Sequence, residues 1–347
     1  MRALAARRHF RSAEPGMDAK VAFLRDPASY PDPTYRVEAL ETHMSWVFLL
    51  DDFVYKLKKP VRHELLDFRS LASRRHFCHE ELRLNLRLAP EVYLGVVPLT
   101  MDRQHHLALG SGGIVVDWLV WMRRLPAVGM LDYAIMHRSL SHADLLRLVQ
   151  RLSGFYRALP PEPLAAEHYR ARFLRQVTSA WRELSSDQYQ LPGAHVQAVH
   201  EAQAAALRRI GPLLDERLQA GRVVEGHGDL RPEHVYLGTP LAVIDCLEFS
   251  RDLRVVDAAD EIGFLALECE RLGAVEVGLA LLHAYRDLSG DDPPPAVLHF
   301  YQSCRATTRA KIAARHLLDE KFRHSPHWVR RACHYLHLAE EHIGKCA

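Results

Sequence analysis

The sequence has no apolar run long enough to cross a bilayer. Its hydrophobic stretches break well short of the roughly 20 residues a spanning helix needs, so no membrane partner is expected. It also lacks an excess of either charge. The 45 Lys and Arg against 43 Asp and Glu give a formal net charge of +2, and the basic residues are scattered, which argues against a nucleic-acid partner. None of the six cysteines forms a C-x-x-C pair, so reduced thiols are expected, in a cytoplasmic protein. There is no H-E-x-x-H, no G-x-x-x-x-G-K-[ST] and no internal repeat. The first residues carry Arg2, Arg7, Arg8 and Arg11 but no apolar h-region, so they do not read as a secretory signal. Residues 1–17 are expected to be a disordered extension, or to precede a true start at Met17.

What is present is an ordinary globular composition. The 347 residues are 48% hydrophobic and 25% charged, enough for one large or two modest domains. Residues 37–40, 46–50 and 53–57 read as strands, with Asp51-Asp52 as a hairpin turn and Pro60 as the stop. A helix is predicted over 71–88, then strands over 93–100, 106–109 and 114–122. From there the pattern turns helical, over 141–159 behind a Ser141 cap and over 169–184, 194–220, 258–272, 274–288, 296–317 and 328–343. The expected architecture is α+β and bilobal. A small antiparallel β-rich lobe with one helix (18–122) precedes a larger, mainly helical one (123–347), with ligands expected in the cleft between them.

The string His227-Gly228-Asp229-Leu230-Arg231-Pro232-Glu233-His234 carries the chemistry. It resembles the H-R-D-L-K-P-E-N catalytic loop of protein kinases. Residues 235–237 and 241–244 flank Gly238-Thr239-Pro240 as a predicted hairpin that ends in Asp245. Phosphoryl transfer needs such a pair of carboxylates, one to orient the attacking hydroxyl and one to hold Mg²⁺. Asp229 is the candidate base, and Arg231 the candidate cation for developing charge. His227 is expected to brace the loop. Asp245 is the candidate metal ligand, with Glu248 as a helper or a plain surface carboxylate. His234 stands where the kinase pattern has a metal-binding Asn. Imidazole is a softer ligand, so a single Mg²⁺, another metal such as Mn²⁺, or lost catalysis are the alternatives.

In the first lobe Val54, Lys56 and Lys58 share one strand face. By the kinase resemblance, Val54 would underlie the adenine and Lys56 would meet the phosphates, with Lys58 as fallback. Glu81, or next to it Glu80, would orient the lysine. His43-Met44-Ser45 contains no glycine, so Ser45 would donate one hydrogen bond and Val47 would cover the base. Met122 to Leu125 would form the hinge. Asp257 is expected to support the catalytic loop, and Asp260 and Glu261 to face the acceptor. The stripe Cys333, His337 and Glu341 reads as a solvated helix face.

Together these residues resemble the aminoglycoside phosphotransferase and choline-kinase-like branch of the protein-kinase-like fold, where H-G-D replaces H-R-D. The strings T-H-M-S-W-V-F-L, Y-K-L-K-K-P-V, L-A-P-E-V-Y-L-G-V, H-G-D-L-R-P-E-H and I-D-C-L-E-F are similar to those of a bacterial subgroup sometimes fused to a P-loop kinase domain. The resemblance covers roughly residues 21–273. It implies ATP and Mg²⁺ (or Mn²⁺) as cofactors, a nucleotide-binding first lobe, a catalytic and acceptor-binding second lobe, and an acceptor that is a small-molecule hydroxyl. The competing expectations are a nucleotide-binding pseudokinase with a regulatory role and, behind it, a metal-dependent hydrolase built on His227, Asp229, His234 and Asp245.

Overall fold

The computed structural model describes residues 15–63, 66–320, 322–323 and 325–346. The extension expected over 1–17 lies outside the described residues as far as residue 14, with Arg2, Arg7, Arg8 and Arg11; Met17 itself opens a helix. The chain forms two compact units, one through Leu125 and one from Pro126.

The first unit holds α1 (Met17–Leu24), β1 (Glu38–Glu41), β2 (Ser45–Leu49), β3 (Phe53–Lys58), β4 (Arg62–His63), β5 (Leu66–Asp67), α2 (Leu71–Asn85), β6 (Tyr93–Met101), β7 (Leu107–Leu109) and β8 (Ile114–Arg123). Six strands make one antiparallel sheet in the order β1-β2-β3-β8-β6-β7, and β4 pairs with β5 separately. The period of two in β3 divides its side chains. Tyr55 and Leu57 enter a core with Leu24, Tyr30, Phe48 and Leu119. Lys56 and Lys58, on the other parity, reach Glu81 of α2. Ser70 caps α2 by accepting a hydrogen bond from the Ser73 amide at 3.1 Å.

The sequence pattern gave no sign of α1. Lys20 interrupts its apolar stripe, yet Lys20 is only 3% exposed. Its ammonium donates to the Val116 carbonyl (2.9 Å) and the Asp117 carboxylate (2.8 Å), and Arg74 Nε meets the other Asp117 oxygen at 2.7 Å. A wholly buried carboxylate on β8 thus ties α1 and α2 to the sheet.

The second unit holds α3 (Leu131–Met136), α4 (His142–Ala158), α5 (Ala166–Leu184), α6 (Gly193–Gln219), β9 (Val223–Glu225), β10 (Val235–Tyr236), β11 (Ala242–Val243), α7 (Arg251–Arg254), β12 (Val255–Asp257), α8 (Ala258–Arg271), α9 (Val275–Ser289), α10 (Pro295–Arg315) and α11 (Pro326–Gly344). The two antiparallel pairs β9–β12 and β10–β11 fix the ends of the loop between them. Ser141 caps α4 through the Asp144 amide. The hairpin expected over 235–244 is β10–β11.

Helix α8 is buried on every side from Ala258 to Cys269. Such a helix must pair each of its polar groups inside the protein. Asp260 takes a two-point ion pair from Arg305, at 2.8 Å to each oxygen. Glu268 accepts from Arg271 Nε (2.6 Å) and the Tyr335 hydroxyl (2.7 Å). Glu261 turns to the loop before it, as described next.

Candidate active site

The loop from His227 to His234 is held from beneath by Glu261, which is fully buried. Its carboxylate accepts from the His227 amide at 2.9 and 3.0 Å, from the Gly228 amide, and from the Tyr156 hydroxyl at 2.9 Å. The glycines around it follow from this geometry. A Cβ at position 226 would lie 2.5 Å from Glu261 Oε2, and Gly228 sits at φ +90°, which strains any side-chain-bearing residue. An arginine here, as in H-R-D, would be strained on backbone grounds.

His227 is buried, and both ring nitrogens are used. Nε2 donates to the Ile244 carbonyl at 2.9 Å, while Nδ1 accepts from the Asp229 amide at 3.3 Å. Burial first, then the neighbouring His234, pushes its pKa down to about 4, so the ring is neutral. A ring with both nitrogens committed cannot ligate a metal, which removes the hydrolase arrangement that used it.

Asp229 keeps 26% of its side chain exposed. Burial would raise its pKa, but the Arg231 guanidinium, with His234 and Arg309, more than offsets this and holds it at about 2. Arg231 Nε lies 3.0 Å from Asp229 Oδ2, Nη1 lies 2.5 Å from Glu233, and Nη2 donates to His234 Nε2 at 2.9 Å. His234 in turn donates from Nδ1 to the Asp229 carbonyl at 2.9 Å. The two side chains by which this loop departs from D-L-K-P-E-N, Arg231 and His234, therefore bond to each other.

His234 stands between the two acids. Asp229 Oδ2 is 3.9 Å from its Nδ1, and Asp245 Oδ2 is 3.6 Å from its Nε2. Asp245 is 45% exposed and adopts φ +60°, a left-handed conformation that Asp tolerates better than most residues. Its hard carboxylate oxygen suits Mg²⁺, which ordinarily takes one or two protein carboxylates and completes its shell with phosphate oxygens and water. The His234 Nε2 lone pair, by contrast, is already engaged by Arg231. Among the described residues no set of three or more His, Cys, Asp or Glu gathers as a metal site.

The first unit has its own cluster. Lys56 Nζ meets Glu81 Oε1 at 2.9 Å and Lys58 Nζ meets Oε2 at 2.6 Å. Lys58 and Glu81 are fully buried, whereas Lys56 keeps 17% of its side chain exposed. Of the two, Lys56 is the more exposed, while Lys58 lies over the Phe68 ring. Glu80 is taken by Arg83. Val54 and Met122, paired across β3 and β8, are each 9% exposed. Val47 is half-buried, opposite Lys56. Ser45 is 2% exposed, which leaves it poorly placed to meet a phosphate.

Three further expectations are corrected. Asp257 does not support the loop. It caps α8 and binds Arg217 at 2.6 and 2.7 Å and the Tyr301 hydroxyl at 3.0 Å. Asp260 and Glu261 do not face an acceptor, since both are bound internally. Arg305 and Arg309 were missed. Arg305 donates to the Gly228 carbonyl at 3.1 Å, and Arg309 contributes to holding Asp229 ionised. Charges on a helix are read by default as solvated, and no sequence signal separates these two from the rest. The Cys333 stripe is a surface feature, where His337 and Glu341 pair 3.3 Å apart with 62% and 43% exposure. All six cysteines are free thiols. Among the described residues no helix is long and apolar enough to cross a membrane.

A sheet unit with a buried Lys–Glu pair and a helical unit with an H-G-D loop define the protein-kinase-like fold. Comparison with solved structures places the chain among a particular set of such folds. It matches a choline/ethanolamine kinase family protein of Mesorhizobium loti (14% identity, TM-score 0.52) over 95% of this chain and 99% of that one. It matches a choline kinase of Cryptosporidium parvum (10% identity, TM-score 0.50) over 94% and 95%. It also matches a thermostable mutant of the aminoglycoside phosphotransferase APH(4)-Ia (11% identity, TM-score 0.50) over 91% and 96%. The chain thus has the fold of the aminoglycoside phosphotransferase and choline-kinase-like proteins that its motifs resemble. No protein-family model matches it. In sequence it is 31% identical over 329 residues to uncharacterized proteins of Mycobacterium tuberculosis and Mycobacterium bovis, a match covering 88% of this chain and 60% of each relative. The chain therefore spans about 60% of the length of the curated relatives it matches.

Proposed function

We propose that the protein transfers the γ-phosphoryl group of ATP to a hydroxyl of a small molecule. The carrying observation is that Asp229 and Asp245 lie on opposite nitrogens of one imidazole, His234, with both carboxylates reaching solvent. That supplies a base for the acceptor and, beside it, a hard oxygen for a cation. Asp229 orients the acceptor hydroxyl and takes its proton as the new P–O bond forms and the bond to the departing ADP breaks. Lys56, oriented by Glu81, holds nucleotide phosphates, and Arg231 offsets the charge that develops on the transferred group. Mg²⁺, when bound at Asp245, would neutralise phosphate charge. Small-molecule kinases of this fold, among them choline kinases and aminoglycoside phosphotransferases, support the reading.

The same geometry gives the pseudokinase reading its one specific support. Arg231 closes over Asp229 and His234 together, a locked arrangement that a regulatory nucleotide binder would keep. The two readings separate on Asp229→Ala. For an enzyme, turnover falls by about 10²–10⁴-fold while ATP still raises the melting temperature. A wild type that binds ATP yet transfers phosphate to no acceptor, with Mg²⁺ or with Mn²⁺, defeats the enzyme reading.

A further inference from the structure

The last turns of the second unit are held by a contact between two imidazoles. His299 of α10 and His342 of α11 bring their Nδ1 atoms to 3.0 Å, with ring centres 5.2 Å apart. His342 is 3% exposed and His299 is half-buried. The other nitrogen of His342, Nε2, donates to Glu270 on the last turn of α8 at 3.0 Å. Gln302 Oε1 lies 3.2 Å from His299 Nδ1, and its amide nitrogen donates to the Gly263 carbonyl at 3.3 Å, which sets that orientation. Three helices therefore meet at one pair of rings.

Two nitrogens at that distance share a single hydrogen, since one must donate and the other accept. Gln302 Oε1 can only accept, so the shared hydrogen belongs to His299 and His342 Nδ1 receives it. One added proton, on His342 Nδ1, is tolerated. The contact reverses its direction, and Glu270 balances the charge. A second added proton sets two N–H groups against each other. With Lys345 nearby, it also gathers three cations around one carboxylate. The other neighbours give no relief. Cys346 meets the His342 carbonyl through Sγ at 3.6 Å, and Arg209 of α6 donates to the Cys346 carbonyl at 2.6 Å. We propose that the His299–His342 pair is a proton-operated latch, which holds the last turns of α11 on α8 and α10 while the two rings carry at most one charge and releases them when both are charged. Burial first, then His342 and Lys345, keeps His299 below the usual imidazole range, so the folded chain resists the second proton and the unfolded chain accepts it. The latch is therefore intact above about pH 6.5 and is lost as the pH falls below that. The preceding turns of α11 stay in place, because Tyr335, Leu336 and Ala339 sit in a separate apolar core. The inference is independent of the phosphotransferase reading.

The test is a double-mutant cycle on the full chain, with His299→Phe, His342→Phe and the pair of exchanges, followed by chemical denaturation at two pH values. The coupling between the two positions is expected to change the unfolding constant about fivefold or more at about pH 8, and to vanish or reverse sign at about pH 5. His227 is present in all four proteins, so its own titration cancels from the coupling. Hydrogen exchange of the wild type, corrected for the intrinsic pH dependence of amide exchange, needs no variant and decides the matter if one of them fails to fold. Residues 334–346 are expected to lose protection on acidification before residues 258–269 do. A coupling that is absent at the higher pH or the same at both overturns the latch. So does protection lost alike in both segments, or in neither.

Discussion

Two fully buried glutamates, one in each unit, solve the same problem in different ways. Glu81 on α2 is neutralised by two ammonium groups. Glu261 on α8 is solvated by neutral donors, two backbone amides and a tyrosine hydroxyl. The first arrangement leaves one of its lysines, Lys56, partly exposed. The second exports nothing and spends the whole carboxylate on loop shape. One buried carboxylate thus gathers side-chain cations and the other serves the backbone of a loop.

The contrast can be broken most directly at Glu81. Glu81→Ala removes the carboxylate that meets buried Lys58 and Lys56 and is expected to cost about 3–5 kcal/mol, read by chemical denaturation. Lys58→Met in the same background should recover much of that, and no recovery would show that Lys58 is not the residue the carboxylate serves. Glu261→Ala comes next. It orphans backbone amides and a hydroxyl at about 1–3 kcal/mol each, softened where water enters. Its turnover should fall well beyond its stability loss, with ATP affinity retained. If turnover follows stability alone, the loop does not depend on Glu261.

A third prediction concerns pH. His227 has a folded pKa of about 4, below the roughly 6.5 of the unfolded chain. The unfolded state therefore binds the proton first, and stability falls as pH drops from about 6.5 to about 4, by on the order of 3 kcal/mol. His227→Gln should flatten that window in pH-dependent unfolding. Asp229, at about 2, is ionised throughout, so the acid limb of kcat/KM should belong to another group. The smallest effect is expected at His234→Asn: both ring nitrogens are already engaged, so the exchange adds a hard carbonyl oxygen near Asp245 without removing a ligand and should raise the preference for Mg²⁺ over Mn²⁺ a few-fold. An unchanged Mg²⁺-to-Mn²⁺ ratio would take that side chain away from the cation.

Much of this was legible because it is local. The Asp51-Asp52 hairpin, the Ser141 cap and the H-G-D-L-R-P-E-H string announce themselves over a few residues. Lys56 and Glu81 were paired across 25 positions only because strand parity narrowed the choice. What escaped depended on distant partners. Lys20 hides α1 from a hydrophobic scan because its counter-charge, Asp117, lies 97 residues on. Asp257 and Glu261 sit four apart on or beside one helix start, and only the packing tells which of them turns to the loop. Strands β9 and β12, three residues each, are too short to show a period.

The left-handed backbone at Asp245 bears on how this site should be dissected. Alanine there would remove a carboxylate and also force a methyl-bearing residue into a conformation it resists, so its phenotype would mix chemistry with distortion. Asparagine keeps the shape and deletes only the charge. Comparing the two exchanges separates what the position does by its charge from what it does by bending the chain.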